Sequence, residues 1–183
     1  MNHRDYKKFG PGEYYHVYNR GNGKEDIFIN DEDFSFFILR LQQNLFPDEK
    51  TLNRLRPLPS NSFSLISYCL MPNHFHLLLR QNSGVPTTKL LTKVCTSYSM
   101  YFNKKYNHVG HVFQDQYKQI NVDDDSYLVW LSLYIHQNPK VAGLVDNSAD
   151  YKWSSCGYFI GAKNNLLCDK EIISSRYSSG VYL

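Results

Sequence analysis

The stretch FSLISYCLMPNHFHLLLR, positions 63 to 80, constrains this chain more than any other. Two apolar runs rich in Leu and Phe flank the turn-forming pair Pro72-Asn73, which predicts an antiparallel hairpin whose second strand carries histidines. Side chains alternate along a strand, so His74, His76, Leu78 and Arg80 share one face while Phe75, Leu77 and Leu79 point into a core. Two imidazoles on one face, two residues apart, suit a shared divalent metal or a phosphate. His-x-His is equally a common pattern of ordinary strands, in which case both are simple surface histidines.

The rest of the chain alternates between two periods. EYYHVYNRGN from Glu13 alternates as a strand and ends in the turn Gly21-Asn22-Gly23. Asn30 and Asp31 are N-cap candidates for a helix of about four turns carrying Phe34, Phe37, Ile38, Leu41 and Leu45, which stops near Pro47. Residues 47 to 61 hold three prolines and read as a surface loop, with Arg54 and Arg56 on it. A second helix is predicted from Lys89 to Tyr106, with Thr87 or Thr88 as cap and a basic tip at Lys104-Lys105. GHVFQDQYKQINV, 110 to 122, alternates towards a strand, and Asp123-Asp124-Asp125 then precede a third helix, SYLVWLSLYIHQN. An acidic triplet suits free amides and the dipole at a helix start better than it suits a metal.

Strand, helix, strand, strand, helix, strand, helix is the βαββαβ ferredoxin-like order with one helix added, an α+β fold with an antiparallel sheet. With 183 residues and 42% hydrophobic content the chain suits one domain, residues 1 to 183, with a core of about 13 to 145. Residues 1 to 12 read as a loose arm, and 146 to 183 as an extension packed on the core. Four cysteines without Cys-x-x-Cys spacing argue against a disulfide framework or a Cys-rich zinc site. The polar start MNHRDYKKFG and the lack of a membrane-length apolar run predict a cytoplasmic protein with no membrane association. Fifteen Tyr, eleven Phe and a net charge of +3 are compatible with nucleic acid without demanding it.

On the third helix, Tyr127, Leu131, Tyr134 and Asn138 recur at spacings that share a face. If that helix lies beside the histidine strand, His74, His76 and Asn138 hold one Mg²⁺ or Mn²⁺, with Tyr134 aimed at a phosphate bound to it. The alternative is that Tyr134 is an ordinary core residue of an amphipathic helix.

With those residues in place, MPNHFHLLLR resembles the His-hydrophobic-His motif of the single-tyrosine HUH transposases. YIHQNPKVAGLV is similar to the tyrosine helix of their REP-associated branch, and YHVYNRGN and GHVFQDQYK resemble further signatures of that branch. The motifs run in order from about residue 14 to 158. The resemblance implies an HUH endonuclease fold, with helices on one side of the sheet and a C-terminal tyrosine helix. It implies Tyr134 as nucleophile and His74, His76 and Asn138 as metal ligands, with no small-molecule cofactor. Single-stranded or hairpin DNA as partner and a homodimer follow from it too. An unassisted phenol is a weak nucleophile, so a metal on the scissile phosphate makes the chemistry coherent, leaving a 5′-phosphotyrosine and a free 3′-OH. Arg20, Lys104, Lys105, Tyr117 and Lys118 are candidates for phosphate contact and base stacking, each also readable as ordinary surface or core. His16 reads as structural, with assistance to the metal site as the alternative. His136 is two residues from Tyr134, roughly 200° around the helix and off the metal face. Two departures stand out: Asn138-Pro139-Lys140-Val141 moves the basic residue one place from the usual Asn-Pro-Val-Arg, and Gln116 stands where Arg is common. Competing functions are a non-catalytic DNA-binding regulator on the same scaffold and a metal-dependent nuclease that activates water.

Overall fold

Four strands form one antiparallel sheet in the order β2-β3-β1-β4, where β1 is Tyr14–Arg20, β2 Phe63–Met71, β3 His74–Gln81 and β4 Lys118–Val122. The computed structural model describes residues 10–48, 56–162, 164 and 167–176. Residues 1–9 of the expected arm, Arg54 in the expected loop and residues 177–183 of the extension lie outside them. Helix α1 (Asp31–Leu45) links β1 to β2 and helix α2 (Thr87–Tyr106) links β3 to β4, each connection passing over an intervening strand. This is the ferredoxin-like arrangement expected from the element order. It puts β1 and β3, the two strands with histidines, side by side in the centre.

The sheet is buried on both faces, and each face has its own core. Tyr15, Val17, Phe75, Leu77 and Leu79 pack against Phe34, Phe37 and Leu41 of α1 and Leu91, Val94 and Tyr98 of α2. On the opposite face Ile66, Cys69, Met71, Leu78 and Val122 meet Leu128, Leu131 and Ile135 of helix α3 (Asp125–Val141). Leu78 shares the histidines' face of β3, as strand alternation suggested. It is fully buried under α3, and only the His74 and His76 end of that face is open. Burial of β2 on both its faces explains why it reads as a near-continuous apolar run rather than an alternating one.

The two long helices on the first face are tied together by one buried carboxylate. Asn30 and Asp33 form a capping box at the start of α1. The same Asp33, with no exposed surface, also accepts hydrogen bonds from Tyr101, Lys105 and Tyr106 of α2 at 2.7 to 2.9 Å. Helix α2 starts differently from expectation: Pro86 precedes it without a side-chain cap, Thr87 is its first residue, and the Thr87 hydroxyl bonds Gln119 instead.

The expected strand over 110–122 is shorter than predicted, being confined to Lys118–Val122. Residues 110–117 instead wrap the end of β1. Gly110 takes a positive φ of 107°, the Asn22 amide donates to Val112 and the Gln114 amide to Arg20. An alternating sequence cannot distinguish a ladder from a loop that reuses the same residues around a strand end.

After α3 the chain returns along the outer edge of β2. Leu70 donates to Trp153, Ser155 donates to Tyr68 and Asp169 donates to Leu65, while Trp153 stacks on Phe34 at 4.7 Å. These contacts cover an edge that would otherwise expose unpaired backbone groups. Short helices α4 (Cys156–Phe159) and α5 (Glu171–Ser174) complete this segment. Among the described residues no helix is long and apolar enough to cross a membrane.

Candidate active site

Antiparallel pairing of β1 with β3 sets His76 opposite Tyr18 and His74 opposite Arg20. His16 is then the diagonal neighbour of His76 on the same face, close enough for long side chains to meet. They do meet: His16 Nε2 lies 2.9 Å from His76 Nδ1, in a buried contact with the rings stacked at 5.1 Å. His74 stands edge-on to His76 at 5.0 Å. His74 is half-buried and His76 and His16 are buried, so the cluster lies at the floor of a cleft of about 490 Å³. Arg20, Lys24 and Lys118 line its rim, opposed by the carboxylate of Asp115.

The hydrogen bonds decide which ring nitrogens face the cleft. Asn73 Nδ2 donates to the Lys24 carbonyl at 3.3 Å, which turns its Oδ1 towards His74 Nδ1 at 2.6 Å. An amide oxygen only accepts, so His74 carries its proton on Nδ1 and keeps the lone pair on Nε2. His76 is held at Nδ1 by His16, which likewise leaves Nε2 for a ligand when His76 is the donor. Gly21 makes this possible from the side of β1. Its amide donates to the Asn73 carbonyl, and any Cβ there would collide with the Glu25 carbonyl oxygen, so only glycine lets the Asn22–Lys24 turn approach Asn73.

Burial keeps these imidazoles neutral. It pushes His16 down to about 4 and, with repulsion from His16 and His74, His76 down to about 3. His74 is lowered by burial first and by the Arg20 charge second. Neutral imidazoles are the form that binds a metal.

Helix α3 brings Tyr134 to this cluster. Asp124 caps the helix by accepting from the Tyr127 amide at 2.7 Å, and Asp125 pairs with Arg176 at 2.8 Å, so these two members of the triplet serve the helix start. The Tyr134 ring stands edge-on to His76 at 6.0 Å and is 44% exposed. Tyr134 thus stands exposed beside His76 rather than in the core. Leu131 does not share its face, being buried at 1%. The residue beside Tyr134 is Trp130, stacked on it at 5.5 Å.

Asn138 is engaged locally. Pro139 lacks an amide proton, which orphans the carbonyl four residues back. Asn138 Nδ2 covers that Ile135 carbonyl at 3.4 Å and the Tyr134 carbonyl at 2.7 Å. Its Oδ1 is the atom it would offer a metal. His136 points the other way, buried, with Nε2 2.7 Å from Ser155 Oγ. Among the described residues no group of three or more His, Cys, Asp or Glu is set to hold a metal ion. Two imidazole Nε2 atoms still fit a divalent ion that completes its shell with oxygens from an amide, water and substrate.

The expected nucleic-acid contacts divide. Arg20, its Nε on Gln114 at 2.5 Å, and exposed Lys118 both line the cleft. Tyr117 is half-buried against the first core and lines a separate groove beside α2. Lys105 is held by Asp33 at 2.7 Å and Glu32 at 2.8 Å, so the basic tip is half committed to the fold, while Lys104 is exposed beside it. Asn73, Lys24 and Trp130 were not assigned from the sequence, and His16, read there as structural with assistance to the metal site as the alternative, stands against His76.

Antiparallel βαββαβ sheet, paired histidines on a central strand and a tyrosine on a following helix define the class of HUH-type folds. Residues 56–138, which hold the histidine strand and most of the tyrosine helix, match the family model "Transposase IS200 like". The resemblance read from the motifs is upheld. Among solved structures, a REP-associated tyrosine transposase bound to a REP hairpin superposes with a TM-score of 0.62 at 12% identity, over 92% of this chain and 97% of that one. A candidate transposase from Deinococcus radiodurans R1 superposes more loosely, with a TM-score of 0.44 at 15% identity over 75% and 96% of the two chains. Among curated protein sequences nothing matches.

Proposed function

We propose that this protein is a DNA transposase that cleaves and rejoins single-stranded or hairpin DNA through a covalent link to Tyr134. The observation that carries this reading is the Tyr134 ring, exposed and edge-on to the buried His76 within one chain. The relative bound to a REP hairpin and the IS200-like match support DNA as the substrate.

In the cleavage step Tyr134 Oη attacks the scissile phosphorus and the bond from phosphorus to the 3′ oxygen breaks. The phenolic proton leaves and the departing 3′ oxygen takes one up, giving a 5′-phosphotyrosine and a free 3′-OH. The phosphoester count is unchanged, so rejoining runs the same step backwards without ATP. Arg20, Lys24 and Lys118 bind the phosphates at the cleft rim. His74 and His76 would hold Mg²⁺ or Mn²⁺ through Nε2, and Asn138 through Oδ1. Such an ion polarises the scissile phosphate and stabilises charge on its oxygens. In this reading Tyr134 acts with the histidines beside which its ring stands, and the protein works as the homodimer that the resemblance implies.

A second reading, a DNA-binding regulator, draws on the Asn138 amide being spent on its own helix. One experiment separates them. The protein is incubated with labelled single-stranded hairpin DNA and Mn²⁺, and a denaturant-resistant adduct is sought. The expected outcome is an adduct from wild type and none from Tyr134→Phe. No adduct and no cleavage would favour the regulator; cleavage without an adduct would favour water as nucleophile.

A further inference from the structure

The outer side of α3 carries a feature that the cleavage chemistry does not use. Tyr127, Trp130 and Tyr134 form one column of rings, with centroids 5.6 and 5.5 Å apart and planes 16° and 11° from parallel. They are 39, 55 and 44% exposed, while the same helix buries Leu128, Leu131 and Ile135 on its other side. The fold gains nothing from three adjacent aromatic rings facing water, and contiguous exposed apolar surface marks a contact site. The column ends at Tyr134, whose ring meets His76, and His76 in turn lines the cleft that also holds Arg20, Lys24 and Lys118.

We propose that this column is a stacking platform for the unpaired bases of a single nucleic-acid strand, with Trp130 at its centre. The rings cover part of each other's planes by offset stacking, and the parts left exposed, largest on Trp130, offer π-surface that any base can use, so the platform is tolerant of sequence. Continuity with the cationic cleft selects the occupant: phosphates bind the rim while neighbouring bases lie on the rings. The carboxylates at the far end of the column are already engaged, Asp124 with the Tyr127 amide and Asp125 with Arg176, which limits repulsion of the strand. A duplex keeps its bases stacked on each other and gains nothing here. The platform thus discriminates unpaired from paired DNA beside the reacting tyrosine. This deepens the proposed function but is tested apart from it.

The test uses the full chain carrying Tyr134→Phe, which keeps the ring and removes the nucleophilic oxygen, in chelator. Binding of fluorescein-labelled oligothymidylate and of a duplex of equal length is followed by anisotropy. Adding Trp130→Ala is expected to weaken oligothymidylate binding roughly tenfold or more, and Trp130→Phe to restore most of it, with duplex binding unchanged in both. Trp130→Leu, equally apolar but without a π-face, should behave as Ala and guards against a folding artefact in the smaller variant. Unchanged oligothymidylate affinity, or equal losses for duplex and single strand, would overturn the platform. Sedimentation of the same variants adds a further outcome. A wild-type dimer that Trp130→Ala converts to monomer without loss of oligothymidylate affinity would assign the column to a second copy of the chain. Failure of the adduct assay with Trp130 intact would sink the cleavage reading and leave the platform standing.

Discussion

His16 Nε2 and His76 Nδ1 lie 2.9 Å apart in a buried contact, on adjacent antiparallel strands. The mirror of this arrangement is Asn73 Oδ1 on His74 Nδ1. Both histidines are therefore gripped from behind, and both can present Nε2 to the cleft. The grip fixes ring orientation as well as tautomer, which is how residues beyond the ligands tune a metal site.

His16→Ala should therefore weaken Mn²⁺ binding roughly tenfold to a hundredfold without touching a ligand. His16→Gln should recover much of it, because an amide oxygen can accept from His76 Nδ1–H. Isothermal titration with Mn²⁺ reads this directly. Equal affinity in wild type and His16→Ala would leave His16 as packing alone.

Asn138 has two jobs to be separated. Its Nδ2 covers the Tyr134 and Ile135 carbonyls next to Pro139, so Asn138→Ala should cost about 1 kcal/mol of stability from the lost hydrogen bonds. Ligation through Oδ1 predicts in addition a fall in Mn²⁺ affinity of roughly tenfold, by analogy with the loss of one ligating contact. Thermal melts and titration are compared on one variant. A lowered melting temperature with intact affinity would restrict Asn138 to the helix end.

The hairpin, the long helices and the sheet order were legible because period and turn residues agree there. The histidine face was half legible. Alternation grouped His74 and His76, but only the β1–β3 register reveals His16 as the diagonal neighbour of His76. Trp130 escaped for a geometric reason. At about 100° per residue, Leu131 lies roughly 40° to one side of Tyr127 and Trp130 roughly 60° to the other. Both border the apolar stripe, and only packing against β2 and β3 decides that Leu131 goes in and Trp130 stays out. The ion pair of Lys105 was not legible because its partner Asp33 is 72 residues away in sequence.

Acid should destabilise this fold well before its carboxylates titrate. His16, His76 and His136 are held neutral by burial, down to about 4, 3 and 3, against about 6.5 in an unfolded chain. Between pH 6.5 and 3 the unfolded state binds more protons, so stability falls as pH falls through that window. Melting temperature followed from pH 7.5 to 4.5 should drop steadily. His136→Gln should flatten part of the slope. A slope identical in wild type and this variant would remove His136 from this account.

Asp33 gives the opposite kind of test, at a site remote from the cleft chemistry. Burial alone would raise its pKa, but hydrogen bonds from Lys105, Tyr106 and the Asn30 and Ile29 amides outweigh that and hold it below the usual carboxylate range. A depressed carboxylate contributes stability that is present above the unfolded value, about 3.9, and is lost as pH falls through the folded one. Asp33→Asn should therefore cost about 3 kcal/mol at pH 7, since it leaves Lys105 without its buried partner and weakens the capping box. The gap between wild type and variant, measured by urea unfolding, should narrow as pH drops below about 4. Because Asp33 joins α1 to α2 and touches neither histidine nor Tyr134, oligothymidylate binding at low temperature should survive the substitution. Loss of binding in a folded Asp33→Asn protein would show instead that the α1–α2 clamp positions the strand.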